Sequence, residues 1–334
     1  MKRGAPGERS PYVRTKPGGM ARTRSRTASA RGVMICVVRR PGTYSILARD
    51  PDTLELGVAV QSHWFSVGSV VPWVRAGVGA VAVQSVPVPG GGPHLLDLLE
   101  GMAAQDALRM LMADDGERDV RQVAVVDARG ETSAHTGSGC IPYAGDVSGP
   151  GFTCQANMMA TPDVWDAMAA AYEGARGPLA ERLVAALEAG EQAGGDVRGR
   201  QSAAVVVVPP EGDAHVRSVD LRVEDHPDPV RELGRLLVLY RAYELAGEAD
   251  ELAARGRHAE AGERYERAAG LAPANDELLF WAGLAAFQNG KRDEGLVRVR
   301  EAVAANAGWR ELLGRLSTDF APAAPAVREA LGDP

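Results

Sequence analysis

The sequence predicts an α+β fold in which helices cover both sides of stacked β-sheets, followed by a region made of helices alone. Three observations lead to this prediction. Short runs of β-branched residues recur over the first two thirds of the chain, the helical patterns between them come in pairs, and strand formers become scarce after His226. A regular alternation of strand and helix, which would indicate a single parallel sheet, does not occur in the sequence.

The first predicted element is a hairpin, and we consider the chain to be organised around it. Apolar runs at residues 44–48, 56–60 and 78–83 are rich in β-branched residues and indicate three strands. The turn Asp50-Pro51-Asp52 joins the first two strands.

A threonine that follows a glycine opens this hairpin, at the Gly42-Thr43 junction. If Thr43 became a free N-terminus, its α-amino group, with a reference pKa of about 7.7 to 8.0, would act as a general base for its own hydroxyl. A threonine that begins a strand after Pro-Gly is also ordinary turn chemistry. The residues alone leave both interpretations open.

Helical and extended patterns then follow one another up to residue 208. Leucine and methionine at three- and four-residue intervals predict one or two amphipathic helices over residues 93–112. Gly130 predicts a hairpin between strands at 122–128 and 131–135. Further along, the patterns indicate an extended segment at 151–159 and a buried strand at 202–208. Between them, residues 162–191 are predicted to be helical, with Thr161 as N-cap and a break near Gly174 and Gly177.

The helical region after His226 contains an internal repeat. Residues 255–258 align with residues 289–292 at an offset of 34 residues, which is the period of tetratricopeptide (TPR) helical hairpins. Pro273 would close the first unit, and a flanking helix at 229–243 would give two copies the support that they need. Two generic helical hairpins are the alternative.

Composition argues against several classes of protein. The 334 residues are 45% hydrophobic, enough for a sizeable core, and carry a formal net charge of -7. A protein that binds nucleic acid needs a surplus of Lys and Arg, so we expect no nucleic-acid partner. No apolar run approaches the roughly 20 residues of a membrane span, so we expect no membrane association and a cytoplasmic location.

The three cysteines, Cys36, Cys140 and Cys154, show neither CxxC spacing nor histidine neighbours at metal-ligand distances. We therefore predict no metal site, no disulfide framework and no cofactor. Cys140 lies in a glycine-rich turn and suggests a thiol nucleophile as an alternative, but the sequence offers no basic neighbour to lower its pKa.

Residues 1–42 differ from the rest of the chain in composition. They are rich in Arg, Gly, Ser and Thr and have almost no apolar periodicity, so we expect a disordered arm. An organelle transit peptide, or a start site at Met20 or Met34, are the alternatives. The apolar run at 33–38 is too short for a signal peptide.

Five sequence motifs carry a resemblance to a known family. They are TYSILARDPDTLELGVAVQSHWFSVGSVVPW, AGVGAVAVQS, HTGSGCIPYAG, CQANMM and AGGDVRGRQSAA, and they span roughly residues 43–208. In these motifs the chain resembles the DUF1028 family, a group placed in the N-terminal nucleophile (Ntn) hydrolase superfamily. The resemblance implies a four-layer αββα sandwich. In Ntn hydrolases such as proteasome β subunits, a Gly-Thr bond is cut autocatalytically and the released threonine attacks amides, and Gly42-Thr43 would be that bond here.

The resemblance also indicates supporting catalytic residues. Gln61 and Ser62 end the second strand of the hairpin beside the nucleophile, where the superfamily often has a polar orienting residue. Asn157, together with Gln155, supplies amide donors suited to an oxyanion hole. Arg75 lies at the spacing of the proteasomal lysine, but an arginine does not readily accept a proton.

Substrate-binding residues are predicted next to these. His63 follows the hairpin directly, and Gln155 is included with it. Asp196, Arg198 and Arg200, in a glycine-rich segment, could clamp a carboxylate of the substrate. Each of these residues could instead be a buried polar group or a solvated loop charge.

A second resemblance concerns residues 228–316. Phe280-Trp281 and Trp309-Arg310-Glu311-Leu312-Leu313 are similar to residues of a peptidoglycan-binding domain found behind some DUF1028 domains. This resemblance implies that the helical region binds peptidoglycan fragments.

Two functions from different classes follow from the sequence. The first is an Ntn-type amidohydrolase that cleaves an amide bond in a small molecule or short peptide, with Thr43 as nucleophile. The second is a catalytically inactive scaffold whose helical tail binds a peptide or peptidoglycan fragment. We expect domains at residues 1–42, 43–225 and 226–334, and a homo-oligomer is left open.

Overall fold

A computed structural model describes residues 42–88, 90–213 and 215–332 of the chain. These residues form two antiparallel β-sheets followed by a run of helices. The predicted mixed fold with stacked sheets is thereby confirmed, whereas the predictions for residues 1–41 lie outside the described part. No helix within the described ranges is long and apolar enough to cross a membrane.

The strands build one large and one small sheet. In the described residues they are β1 (Thr43–Arg49), β2 (Leu56–Ser62), β3 (Pro72–Arg75), β4 (Gly79–Ser85), β5 (Arg121–Asp127), β6 (Thr132–Thr136), β7 (Gly145–Gly149), β8 (Phe152–Asn157), β9 (Ser202–Val208) and β10 (Val219–Val223). The larger sheet has the order β10-β9-β2-β1-β8-β7, and the smaller sheet has the order β3-β4-β5-β6. The predicted hairpin is β1 and β2, and β1 lies at the centre of its sheet between β2 and β8.

Side chains of β1 alternate between the two faces of the larger sheet. Tyr44 and Ile46 pack in the core outside the sheet, whereas Leu47 packs in the core between the two sheets. This alternation places Thr43 and Ser45 on the same face as Leu47, toward the smaller sheet.

Four of the described helices precede β9 in the chain and cover the outer faces of the sheets. They are α1 (Gly91–Leu99), α2 (Ala104–Asp114), α3 (Val164–Gly174) and α4 (Leu179–Gln192). α1 and α2 pack on the smaller sheet, and α3 and α4 pack on the larger one. Burying a Leu or Val side chain fully stabilises a fold by about 1.5–3 kcal/mol, so the three apolar layers supply the main driving force for folding here.

Within residues 215–332, six further α-helices follow the sheets. They are α5 (Pro229–Ala254), α6 (His258–Leu271), α7 (Asp276–Gln288), α8 (Arg292–Ala305), α9 (Gly308–Arg315) and α10 (Ala324–Ala330). The first half of α5 packs on the larger sheet through Val230 and Leu233, and its second half packs on α6 through Ala246 and Ala249. α5 therefore runs well beyond the predicted end at Tyr243 and contacts both parts of the fold.

The two turns aligned by the internal repeat have the same backbone geometry. Gly256 and Gly290 have positive φ angles of 74° and 85°, which glycine adopts readily. The amides of Arg257 and Lys291 each donate to the carbonyl five residues earlier, at 2.9 and 3.0 Å. The hairpins α5–α6 and α7–α8 are therefore closed in the same way.

Some elements differ from the sequence predictions. β3, β7 and β10 have no counterpart among the predicted strands. For β7 the reason is that the segment is rich in Gly and Ser and becomes a strand by pairing with the buried β8. Thr161 is not the N-cap of α3, which begins at Val164 after Asp163. The Thr161 hydroxyl instead donates to the Ala193 carbonyl at 2.7 Å and ties the start of α3 to the end of α4.

Candidate active site

Thr43 is the first residue of β1 and lies at one end of the space between the two sheets. It pairs with Ser62 of β2 on one side and with Asn157 of β8 on the other. Because these three residues occupy one row of the sheet, their side chains point to the same face. All three are buried, and Thr43 is 0% exposed. The structure thus brings together three of the four residues predicted to be catalytic.

Two side chains donate hydrogen bonds to the carbonyl oxygen of Gly42. One is the Ser62 hydroxyl, and the other is Nη2 of Arg198 at 2.9 Å. The Thr43 hydroxyl in turn donates to Oγ of Ser62 at 3.2 Å. Two hydroxyl groups in series therefore connect the Thr43 side chain to the carbonyl of the peptide bond that precedes it.

Asp196 holds Arg198 in place at this carbonyl. Oδ2 of Asp196 lies 2.7 Å from Nη2 of Arg198, and Oδ1 accepts a hydrogen bond from Nε at 3.0 Å. Oδ2 also accepts the backbone amide of His63 at 3.1 Å. The Asp196 side chain is fully shielded from solvent, so the bidentate pair is fixed in one orientation.

His63 and Arg200 lie at the edge of the site. The His63 ring is exposed, and its Nδ1 is 3.3 Å from the Arg200 carbonyl oxygen. The Arg200 guanidinium lies against Glu191, with Nε 2.5 Å from Oε1, and this hydrogen bond raises the pKa of Arg200. Glu191 also accepts the Tyr44 hydroxyl at 2.6 Å, and burial, reinforced by Glu191, raises the pKa of Tyr44. Arg200 therefore pairs on the α4 side of the sheet, opposite the face of Thr43.

Gln61 also faces the other side of the sheet from Thr43. It pairs with Tyr44, whose ring packs in the outer core, and strand alternation directs the Gln61 side chain to that same face. Gln61 is fully buried, and neither its amide nitrogen nor its amide oxygen has a hydrogen-bond partner among the described residues. The structure does not bring Gln61 together with the candidate nucleophile.

Behind the candidate nucleophile, a network of buried polar side chains connects the two sheets. Its members are Ser45, Gln84, Gln122, Gln155 and Asn157, all at most 1% exposed, and we call it the amide network. Nε2 of Gln84 and Nδ2 of Asn157 both donate to Oε1 of Gln122 at 2.8 Å. Ser45 donates its hydroxyl to Oε1 of Gln84 at 2.7 Å and accepts Nε2 of Gln155 at 2.5 Å.

The amide network also reaches the backbone of Thr43. Nε2 of Gln84 and Nδ2 of Asn157 donate to the Thr43 carbonyl oxygen at 3.4 and 3.5 Å. Oε1 of Gln155 has no hydrogen-bond partner within the described ranges. In this structure the predicted amide donors Asn157 and Gln155 therefore hold the start of β1 in place.

Ser45, Gln84 and Gln122 are the members of the amide network that the sequence predictions missed. Each of the two glutamines is the single amide side chain of an otherwise mostly apolar strand, in GAVAVQS and RQVAVVD. A buried amide without a partner costs about 1–3 kcal/mol, so a lone glutamine in such a strand must find hydrogen bonds. That pattern was the available signal for the amide network.

The other two residues considered from the sequence, Arg75 and Cys140, form contacts with residues outside the group around Thr43. Arg75 forms ion pairs with Asp97 and Glu100 at 2.8 and 2.7 Å. Cys140 is buried, and its thiol donates to the Arg121 carbonyl at 3.3 Å. Over the residues that the structure describes, no group of three or more His, Cys, Asp or Glu side chains could hold a metal ion.

Comparison with known proteins identifies the family. A family model described as a family of unknown function, DUF1028, matches residues 43–233. A crystal structure of protein SPO2555 from Silicibacter pomeroyi, also described as DUF1028, is similar at 32% sequence identity and a TM-score of 0.54. This similarity covers 59% of the present chain and 88% of the other. No curated protein matches. Since the family model matches more than half of its residues, the chain belongs to the DUF1028 family.

Proposed function

We propose that the chain is an Ntn-type amidohydrolase that cuts its own Gly42-Thr43 bond and then uses Thr43 to cleave an amide in a small molecule or short peptide. One observation carries the proposal. The Gly42 carbonyl accepts hydrogen bonds from Ser62 and Arg198, and the Thr43 hydroxyl is joined to it through Ser62. These donors lie where negative charge would develop during attack on that carbonyl.

In the first step, Oγ of Thr43 attacks the carbonyl carbon of Gly42. Arg198 stabilises the negative charge that develops on the carbonyl oxygen as the bond forms, while the Thr43 hydroxyl proton passes to Oγ of Ser62 and the Ser62 proton passes to that oxygen. The carbon–nitrogen bond then breaks and the proton moves to the nitrogen, which leaves Gly42 as an ester on Thr43. The Thr43 amine is free once this bond has broken, and water then hydrolyses the ester to give a Gly42 carboxylate and the free Thr43 hydroxyl.

After cleavage, Thr43 has the groups needed to act on a second amide. Its amine becomes a general base with a reference pKa of about 7.7 to 8.0. The hydrogen-bond donors of Ser62 and Arg198 are released from Gly42 and face the new substrate. Thr43 is fully buried while residue 42 is attached, so an external amide reaches it only after this cleavage.

Two observations support kinship with Ntn hydrolases. The first is the order of the layers, which is outer helices, larger sheet, smaller sheet and outer helices, in agreement with the αββα order that the resemblance implies. The second is that the family match begins at Thr43. The family is described as one of unknown function, so the proposed activity rests on the geometry of the site.

Intact-mass spectrometry of the full chain tests the proposal. Purified full chain should yield a fragment that begins at Thr43 on incubation. The Thr43→Ala chain should stay intact, and the Thr43→Ser chain should be cut because it keeps a hydroxyl nucleophile.

Thr153→Ala is the matched control for this experiment. Thr153 is a fully buried threonine on β8, and its register with Leu47 places it on the same face as Thr43. The control chain should be cut at the wild-type rate. A wild-type chain that stays intact, or a Thr43→Ala chain that is cut, would contradict the proposal.

A second candidate function is an uncut scaffold whose helical tail binds a peptide or peptidoglycan fragment. The favouring observation is a groove of about 650 Å³ between α4, α5 and α6, with Leu237, Val238 and Leu245 in its lining. Calorimetric titration with a synthetic peptidoglycan stem peptide tests this candidate. Binding by the wild type that is lost in Val238→Asp would support it, and no binding by the wild type would argue against it.

A further inference from the structure

The α-carbon of Gly42 lies in a space that admits little more than hydrogen. A Cβ built on this residue would lie 2.8 Å from Nη2 of Arg198, 2.8 Å from Oδ2 of Asp196 and 2.8 Å from Cβ of Met158. Carbon atoms in favourable contact are about 3.5–4.0 Å apart. Any side chain at this position therefore requires at least one of the three groups to move.

These groups are held by contacts of their own. The Asp196 carboxylate is shielded from solvent and accepts the backbone amides of His63 and Arg198 at 3.1 and 2.9 Å. Cβ of Met158 is fixed by its backbone, whose amide and carbonyl form hydrogen bonds of 2.9 and 3.0 Å. The walls around Gly42 therefore exclude a side chain.

The Gly42-Thr43 peptide bond is itself an amide, and its nitrogen belongs to the candidate nucleophile. If the proposed function is right, Gly42 occupies the position that the acyl part of an external substrate takes after cleavage. Its carbonyl oxygen marks where the substrate oxygen is held, by Ser62 and Arg198. Its α-carbon marks the part of the acyl group that Asp196 and Met158 enclose.

We infer that the site accepts amides whose acyl carbon next to the carbonyl carries no side chain, with glycyl amides as the representative class, and that it excludes alanyl and larger acyl groups. The inference rests on the proposed function and adds the class of substrate to it. The walls formed by Asp196, Arg198 and Met158 determine this specificity.

Glycine variants of the full chain test the inference through self-cleavage. Gly42→Ala should slow cleavage by at least about 100-fold, because a displacement of about 1 Å at the reacting group has an effect of this order. Gly101→Ala is the matched control, since no atom lies within 4 Å of the Cβ that it adds. It should be cut at the wild-type rate, and thermal unfolding of both variants checks that they are folded.

The self-cut wild-type protein provides a second measurement that needs no variant. Its activity on the 4-nitroanilides of glycine, alanine and leucine is followed by the release of nitroaniline. The value of kcat/KM for the glycyl compound should exceed that for the alanyl compound by at least about 10-fold, the lower range for one methyl group in a tight pocket. The leucyl compound should not be hydrolysed.

The results separate this inference from the proposed function. A wild-type chain that stays intact would refute the proposed function, and the inference would fall with it. A wild-type chain that is cut, together with a Gly42→Ala chain that is cut equally fast, overturns the inference alone. Self-cut protein that hydrolyses the alanyl compound as fast as the glycyl one, or hydrolyses none of the three, also overturns it.

Discussion

The space between the two sheets has two ends with opposite chemistry. At the end near Thr43 it is filled by the amide network, whose members are at most 1% exposed. At the other end it is filled by aliphatic side chains such as Leu47, Val58 and Val206. Both ends belong to the same antiparallel strands, so the difference lies in the side chains and not in the backbone.

The two ends differ in what their buried side chains require, because an amide needs hydrogen-bond partners and an aliphatic side chain does not. Aliphatic side chains pack without hydrogen-bond partners, whereas an unpaired buried amide costs about 1–3 kcal/mol. The hydrogen bonds of the amide network in return fix the orientation of its side chains, because hydrogen bonds are directional. At the end near Thr43, these directional hydrogen bonds therefore hold the Thr43 carbonyl in one orientation.

The largest expected effect is on the rate of self-cleavage, in Ser62→Ala. This change removes the hydroxyl that links Thr43 to the Gly42 carbonyl, and loss of one such donor typically lowers a rate by about 100- to 1000-fold. Intact-mass spectrometry over time measures the rate. Ser202→Ala is the matched control, because Ser202 pairs with Ser62 in the next strand and is also fully buried. Equal rates in the two variants would remove Ser62 from the mechanism.

The second expected effect is on the free energy of unfolding, and it is measured by introducing a methionine at each end of the space between the sheets. Gln122→Met leaves Gln84 and Asn157 without their shared acceptor and should lower the free energy of unfolding by about 3 kcal/mol. Leu47→Met conserves volume at the apolar end and should lower it by less than about 1.5 kcal/mol. Urea unfolding measures both values. If the two losses were equal, the amide network would contribute no more to the fold than ordinary packing.

Much of the fold could be predicted from local sequence patterns. The β1–β2 hairpin, the four covering helices and β9 follow from the spacing of apolar residues and from turn residues, which act over a few positions. β7 could not be predicted in this way, because a Gly- and Ser-containing segment becomes a strand only when β8 lies beside it. The long α5 was underestimated because its second half is supported by α6, a contact that a local pattern does not reveal.

The candidate site could be predicted less completely, for two physical reasons. The direction of Gln61 depends on register, and a shift of one residue changes the face to which a strand side chain points. Gln84 and Gln122 come from the other sheet, and a sequence without contacts does not show which strands of two sheets lie opposite each other. Ser62 was predictable because it ends the same hairpin that Thr43 begins.

The third expected effect is a difference in pH dependence between the two ends. Burial acts to raise the pKa of Asp50, in the turn after β1, but the amides of Thr53 and Asp52 and the Arg182 guanidinium outweigh it and hold this pKa below its usual value. Asp50→Asn should therefore lower the free energy of unfolding at neutral pH by about 2 kcal/mol, the range for hydrogen bonds to a charged group.

The sign of the pH effect follows from the lowered pKa. The stabilisation by Asp50 is fully present above its unfolded pKa of about 3.9 and is lost as the pH falls through its lower folded pKa. The difference between wild type and Asp50→Asn should thus shrink toward zero in strong acid. The difference caused by Gln122→Met should stay constant, since no member of the amide network titrates. Urea unfolding at a series of pH values checks both, and a constant Asp50 difference would contradict the assignment.

The smallest expected effect belongs to Arg75, which the spacing of the proteasomal lysine would place beside the nucleophile. Arg75 pairs with Gly79 at the start of β4, whereas Gln84, near the end of β4, contacts the Thr43 carbonyl. Five residues of strand separate these positions, roughly 17 Å. Arg75→Ala should leave the rate of self-cleavage unchanged and lower the free energy of unfolding by less than about 1 kcal/mol, because its ion pairs involve exposed carboxylates. A large loss of cleavage in a stably folded Arg75→Ala chain would instead show that the far end of the sheet takes part in the chemistry, and the proton path from Thr43 through Ser62 would then be insufficient.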